Sequence, residues 1–521
     1  MRLTMAPRHR NPDEFPTVQL FLLAIVRLAE PIALTSIFPY AWPLIKRFKI
    51  GSEDDASFYA GLLISSFSLA EALMGMYWGS LSDRIGRKPV LLVGCVGTMF
   101  SMIMVGIAPN IWVALLGRAI GGLLNGNIAV IQTMVGELVT KPEHELPFVW
   151  SIGTIIGPAI GGTFADPHET FPDTFPKGSL FERFPYLLPN LICAGMLLMS
   201  ILLGYFLLEE THPDIEPRVF LPDATFLSEN TPLIETSDAM KRPAVDLRDE
   251  NYGTIRNIDG VDSSSACTKT VEKRPSINVF TNKRIMAVIL SLSIFTYHSM
   301  TYDHLLPIFF EDGRAPLSHA VGLFDHFSPF YSPGGLGFSL QAVGMIMAVQ
   351  GVIALFMQAV VFPIMAERMG VHRLFIFVTV FHPIAYFIMP SLLFIPERFL
   401  YPVIYLYLTI RNFFGILVYP LLLILIKEAT PSLTILGKVN GLAASAGAAC
   451  RMIAPPVAGY LYAMGRRMDC TALAWYGSAF VAILGAIQCF SVTRSKAHEK
   501  SANYLGVDGA LDSGMDDTTA V

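Results

Sequence analysis

Twelve apolar stretches, each near the roughly 20 residues that cross a hydrocarbon core, leave this chain few folds to choose from. They run Thr17–Trp42, Ser57–Trp78, Val90–Ala108, Trp112–Val135, Pro147–Phe164 and Tyr186–Leu208, then Arg284–Phe310, Phe338–Val361, Leu374–Phe394, Leu400–Ile426, Gly437–Met464 and Thr471–Val492. A large water-soluble enzyme would alternate such runs with amphipathic helices and strands, and this chain does not. Charged residues make up only 15% of it and hydrophobic residues 53%, whereas a soluble domain carries about 25% charge. In lipid every backbone polar group must be satisfied within the segment, which leaves helices as the spanning unit here. The expected class is an all-α membrane protein of twelve transmembrane helices.

Between the sixth and seventh runs lies 209–283, rich in Asp, Glu, Ser, Thr, Asn and Pro. It has too little apolar surface to fold alone and reads as a disordered linker. The chain therefore divides into an amino-terminal tail (1–16), a six-helix bundle (17–208), the linker (209–283), a second six-helix bundle (284–492) and a tail (493–521). The first 16 residues are polar, so the first apolar run is expected to act as its own insertion signal. Lys and Arg gather in the segments that a cytoplasmic amino terminus would place inside. Both termini and the linker are thus expected in the cytoplasm.

The halves echo each other. Asp83-Arg84-Ile85-Gly86 follows the second run and Glu367-Arg368-Met369-Gly370 the eighth; Arg118 lies in the fourth and Arg411 in the tenth. Gly157-Pro158 in the fifth run answers Pro455-Pro456 in the eleventh. Duplication of a six-span unit is a transporter signature, with the solute site between the halves near the midplane.

Three strings carry more. The segment from Gly79 to Lys88 reads GSLSDRIGRK, a short basic turn that any positive-inside loop could supply in part. Its whole pattern resembles the cytoplasmic signature GxLxDRxGRK of the major facilitator superfamily. That resemblance implies the twelve-helix major facilitator fold. It also implies a conformational latch of Gly79, Asp83, Arg84, Gly86, Arg87 and Lys88, in which Asp83 meets the other half near the start of the eleventh helix. The copy at Glu367 has Val371 and His372 where the second Arg-Lys would stand. In the fourth run Arg118 is followed by Gly122 and Gly126, one small face for close helix approach, and similar to the family's RxxxGxxxG element linked to proton coupling. In the fifth, Gly153, Gly157, Pro158, Gly161 and Gly162 form GxxxGPxxGG, which resembles the motif marking the superfamily's antiporters. The strings Arg27–Ala33, His298–Asp303 and Gly437–Gly441 are similar to the plant and fungal zinc-induced-facilitator-like branch.

Seven strong charges lie inside the runs: Arg27, Arg118, Arg411 and Arg451 against Glu30, Glu71 and Asp303. Exposed to lipid at about 3 kcal/mol each they would cost roughly 20 kcal/mol, so they must pair or line a wet cavity. Arg27 and Glu30 share a helix face. A carboxylate that loses its partner in one conformation takes up a proton, and Glu30 and Asp303 are the candidates. Fixed structural salt bridges are the alternative. The expected solute and proton pathway is Arg27, Glu30, Arg118, His298, Tyr302 and Asp303.

The expected function is a secondary transporter of a small molecule or ion, coupled to protons by antiport, in the plasma or vacuolar membrane, working as a monomer. An uncoupled facilitator of the same fold and a solute sensor signalling through the linker remain open. A net charge of −5 points to no nucleic acid. The six scattered cysteines lack a CxxC pair, giving no metal site and no disulfide framework. Neither a phosphate loop nor a nucleophile motif argues for an enzyme, and no cofactor is expected.

Overall fold

The computed structural model describes residues 17–127, 130–131, 134, 148–211, 282–314, 332–430 and 433–493. Both tails, Lys141 and nearly all of the central linker lie outside these.

Among the described residues, twelve helices account for the apolar runs. The first six are α1 (Thr17–Ser36), α2 (Ala56–Ile85), α3 (Arg87–Gly106), α4 (Ile111–Leu124), α5 (Phe148–Phe164) and α6 (Leu187–Leu207). The second six are α7 (Lys283–Glu311), α8 (Leu340–Met369), α9 (Val371–Ile388), α10 (Glu397–Ala429), α11 (Leu433–Arg467) and α12 (Ala472–Gln488). Nine described helices are long and apolar enough to span a membrane, and two more, α4 and α5, are shorter and apolar. The twelfth, α11, is 35 residues long but rich in Ala, Gly and Ser, a composition suited to close packing.

Packing repeats from half to half. In the first, α1 packs on α5 and α6, α3 on α4 and α6, and α2 on α4. In the second, α7 packs on α11 and α12, α9 on α10 and α12, and α8 on α10. The seam between halves is α2 against α11 and α5 against α8.

Three boundaries differ from those expected. The first run does not continue to Trp42: α1 ends at Ser36 and a short helix spans Ala41–Phe48. Pro39 disfavours helical geometry in the residue before it. The second helix runs on to Ile85, so Gly79–Ile85 is helix and the basic turn shrinks to Gly86. The fourth run breaks at Asn125-Gly126, where Asn125 is extended at φ −88°, ψ 104°. In α8 the turn Met357–Val361 widens to a π-helix just before Pro363, whose ring would crowd the carbonyl four residues back.

The internal repeat reaches backbone detail. Gly86 (φ +103°) and Gly370 (φ +76°) hold matching turns in a left-handed region that side chains rarely adopt. Two residues on, Lys88 Nζ donates to Leu208 O at the end of α6 (2.6 Å), and His372 Nε2 lies 2.7 Å from Val492 O beyond α12. The second half thus keeps the helix-end clamp with a histidine in place of lysine.

The two ends of the molecule differ. Here "motif side" means the end bearing Gly86, and "far side" the end bearing the α1–α2 connection. On the far side one buried apolar cluster crosses the seam, joining Tyr40, Ala60 and Leu63 to Tyr302, Phe309, Tyr462 and Trp475. On the motif side the clusters are confined to one half each, around Leu23, Trp78 and Leu91 in one and Leu292, Phe375 and Leu421 in the other.

Candidate functional site

Far-side closure is built from small residues and ions. Ser57 Oγ donates to Gly459 O at 2.8 Å, and His304 Nε2 lies 3.2 Å from Ser57 O. A side chain on Gly61 would strike the Pro455 backbone, its Cβ 2.8 Å from Pro456 N. Pro455-Pro456 therefore seats α11 against α2. Arg466 bridges the halves, 3.3 Å from Asp54 and 3.6 Å from Asp312, while Arg467 pairs with Asp55. Asp312 also accepts from Tyr462 Oη at 2.9 Å.

The glycines of the fifth helix are packing surfaces on two partners. Gly153 fits against Pro31 and Gly157 against Ile32–Ser36 of α1. Gly161 meets Ser36, and Gly162 meets the Gly344 backbone of α8, its Cβ position 2.6 Å from Gly344 Cα. Pro158 lies in the same contact, its carbonyl 2.7 Å from a Cβ on Gly344. Farther along, Ser151 Oγ donates to Gln358 Oε1 at 2.6 Å. This string thus joins α1, α5 and α8 across the seam.

Toward the motif side the glycines of α2 and α11 no longer meet a neighbour. Gly75 and Gly79 of α2 and Gly441 of α11 face open space. The hydrogen bonds and ion pairs of the Gly79–Lys88 signature among the described residues fall within its own half. Asp83, 64% exposed, accepts from Arg87 at 2.5 Å, and Arg87 also donates to Ser82 at 2.8 Å. Glu210 caps α3 by accepting from the backbone N–H of Arg87 (2.7 Å) and Lys88 (3.1 Å), as suits an acid at a helix N-terminus. The side chains at the start of α11, where the family's latch would reach, fall outside the described residues.

Glu30 sits buried between α1 and the break in α4. Its two carboxylate oxygens accept from Asn125 Nδ2 (2.6 Å) and Asn127 Nδ2 (3.1 Å). Asn125 Oδ1 in turn accepts from the Asn127 backbone N–H at 2.9 Å, so the broken backbone and the acid hold each other. Arg27 lies within electrostatic reach of Glu30 and of Tyr419 in the other half. Arg118 stacks on Phe67 with its guanidinium carbon 4.6 Å from the ring centre. It is buried, with Nε and Nη1 lacking hydrogen-bond partners among the described residues, and Glu71 is a nearby acid. Glu71 also faces Arg451 across the seam. Gly122 allows this approach: a Cβ there would lie 2.9 Å from Ala70 and 3.1 Å from Glu71 N.

The second half mirrors this with a tighter set. Arg411 is buried over the Tyr302 ring, 3.7 Å from its centre, and 3.7 Å from Asp303. Asp303 remains 40% exposed. His298 Nδ1 lies 2.8 Å from Tyr386 Oη, which donates to the His298 carbonyl at 3.1 Å. The expected pathway residues thus fall into two groups, one on each bundle: Arg27, Glu30 and Arg118, then His298, Tyr302 and Asp303.

Sequence reasoning omitted Asn125, Asn127, His382 and Tyr386, all of which complete these groups. Asn125 and Asn127 flank Gly126 in the fourth run, and two polar amides beside a glycine in an apolar run were the available signal. Among the described residues no cluster of three or more metal-ligating side chains occurs, and the five described cysteines are free.

Two pseudo-symmetric six-helix bundles, with paired charges midway and a seam closed at one end, define a membrane transporter. A family model described as the Major Facilitator Superfamily matches residues 23–324. A major facilitator superfamily multidrug transporter of Aspergillus fumigatus is 36% identical over 94% of this chain and 85% of its own length. The ZINC INDUCED FACILITATOR-LIKE 1 protein of Arabidopsis thaliana is 28% identical over 65% of this chain and 61% of its own. Among solved structures, a D-xylose–proton symporter superposes with a TM-score of 0.62 at 14% identity, covering 93% of this chain and 99% of that one, a likeness of fold. The chain belongs to the major facilitator superfamily.

Proposed function

We propose that the protein is a proton-coupled antiporter that carries a small organic solute out of the cytoplasm, across the plasma membrane or into a vacuole. The motif side is then cytoplasmic and the structure is an inward-open state. The observation that carries this reading is the placement of Glu30 and Asp303, one carboxylate per bundle, on opposite sides of the seam.

Each carboxylate is held by partners that rocking of the bundles can withdraw. Glu30 depends on two amides positioned by a break in α4, and Asp303 depends on one guanidinium at 3.7 Å. A carboxylate stripped of such partners in a low-dielectric site binds a proton. Alternating access then delivers that proton to the other side as solute moves the opposite way. The GxxxGPxxGG string supports exchange, since its glycines place α5 against both α1 and α8. The multidrug name of the Aspergillus relative supports an organic solute.

The test begins with an uptake and efflux screen of metals, weak acids and cationic drugs in a deletion strain. Solutes that respond are then assayed with purified protein in liposomes containing a pH-sensitive dye. Solute-driven proton movement supports antiport. Solute flux without proton movement makes the protein a facilitator.

A further inference from the structure

Inside the second bundle, away from the seam, α7, α9, α10 and α12 enclose a cavity of about 10 Å³, the space one water centre needs. His298, His382, Thr379 and Ser291 line it together with Phe295 and Gly485. His382 is 1% exposed and, among the described residues, neither ring nitrogen has a hydrogen-bond partner; Thr379 Oγ1 is likewise buried and unpartnered there. The two imidazoles stand 4.8 Å apart, centre to centre, edge to face. An apolar pocket would stay dry, but this one presents donors and acceptors with nothing to satisfy them.

Polar groups continue from it toward the motif side. Ser291 Oγ donates to Gln488 Oε1, and Gln488 Nε2 donates to Ala287 O (2.8 Å) and to Ser491 Oγ (3.2 Å). Ser491 ends the turn after α12 and is exposed. In the other direction His298 meets Tyr386 Oη, and Arg411, Tyr386 and Asp303 form one electrostatic group.

We propose that this cavity is a water site reached from the motif side past Ser291 and Gln488, and that its water delivers protons to the His298–His382 pair, separate from the solute route along the seam. It rests on the proton-coupled reading and deepens it. A proton arrives from bulk water through the bound water, forms an N–H bond on His382, and leaves the water's lone pair behind. The groups facing that charge are His298 on α7, Tyr386 on α9 and Arg411 on α10; the α12 residue lining the cavity, Gly485, carries no charge. The new charge repels Arg411 and loosens its pairing with Asp303. The path would thus let cytoplasmic protons bias the solute-facing carboxylate without passing through the solute site.

Hydrogen–deuterium exchange at the imidazole C2 position, read by mass spectrometry on the full-length protein in detergent without solute, tests this. That exchange needs both water and transient ring protonation. His382 is expected to exchange with a pH-dependent rate despite its burial. Thr379→Ile, which fills the cavity, should slow His382 at least tenfold and leave His372 at the bundle end unchanged. No exchange at His382 in the unaltered protein, or a rate untouched by Thr379→Ile, overturns the proposal. Because no solute is present, a dry pair sinks this path alone, whereas absent solute-driven proton flux in liposomes sinks the antiport reading.

Discussion

Arg466 holds the far side shut, and replacing its partner Asp54 by Asn isolates that contribution. Asp54 sits on the α1–α2 connection and Arg466 at the end of α11, 3.3 Å away, so the pair exists only while the far side is closed. At that separation two unit charges attract by about 5 kcal/mol at an effective dielectric constant near 20 and about 1 kcal/mol in water. Arg466 is 23% and Asp54 34% exposed, which places the net value near the watery limit, about 1–2 kcal/mol. Each 1.4 kcal/mol is tenfold in a population. Asp54→Asn should therefore shift the balance toward the far-side-open state by roughly 5- to 30-fold. Arg466→Gln should act more strongly, because it also removes the guanidinium paired with Asp312, which is only 5% exposed. Double electron–electron resonance between labels at Glu53 and Met468 reads the far-side separation directly. A longer-distance population in Asp54→Asn is expected, with non-additive effects in the double variant. Identical distance distributions in all variants would refute the gate.

Asp83→Asn should act in the opposite sense. Here Asp83 is exposed and, among the described residues, paired with Arg87, so its loss costs this state about 0–1 kcal/mol, while a latch in the outward-open state would be lost. The same labels should show fewer far-side-open molecules. Glu30→Gln keeps the shape of the site but removes the titrating group, and should abolish flux driven by a pH gradient while leaving solute binding by calorimetry within about tenfold. Gly162→Val places a side chain into the Gly344 backbone and should destabilise the fold by about 1–3 kcal/mol, read as a lower melting temperature. Gly86→Ala at φ +103° should cost about 1–2 kcal/mol, more if Glu210 is displaced from the N-terminus of α3.

Much of this architecture was legible because lipid imposes a length and a composition on each span. The repeat was legible too, since Gly86 and Gly370 occupy turns that need positive φ. The break at Asn125 was not: hydropathy reads through it, and only Glu30, 95 residues away, gives the amides a reason to leave the helix. The basic turn was placed too early for a related cause, because a polar sequence ends an apolar run without ending a helix. The fifth-helix glycines showed that something packs closely there, but not that α1 and α8 share them. His382 carried no local pattern at all. It became visible only when the fold set it beside His298 with both nitrogens unpartnered.

The central claim is coupling of solute movement to protons through carboxylates on the two bundles. The most direct measurement is solute flux through purified protein in liposomes, with and without an imposed pH gradient, for a solute identified by the deletion-strain screen. The account predicts faster, uphill flux against the direction of proton movement, lost in Glu30→Gln. Equal flux with and without the gradient would contradict it.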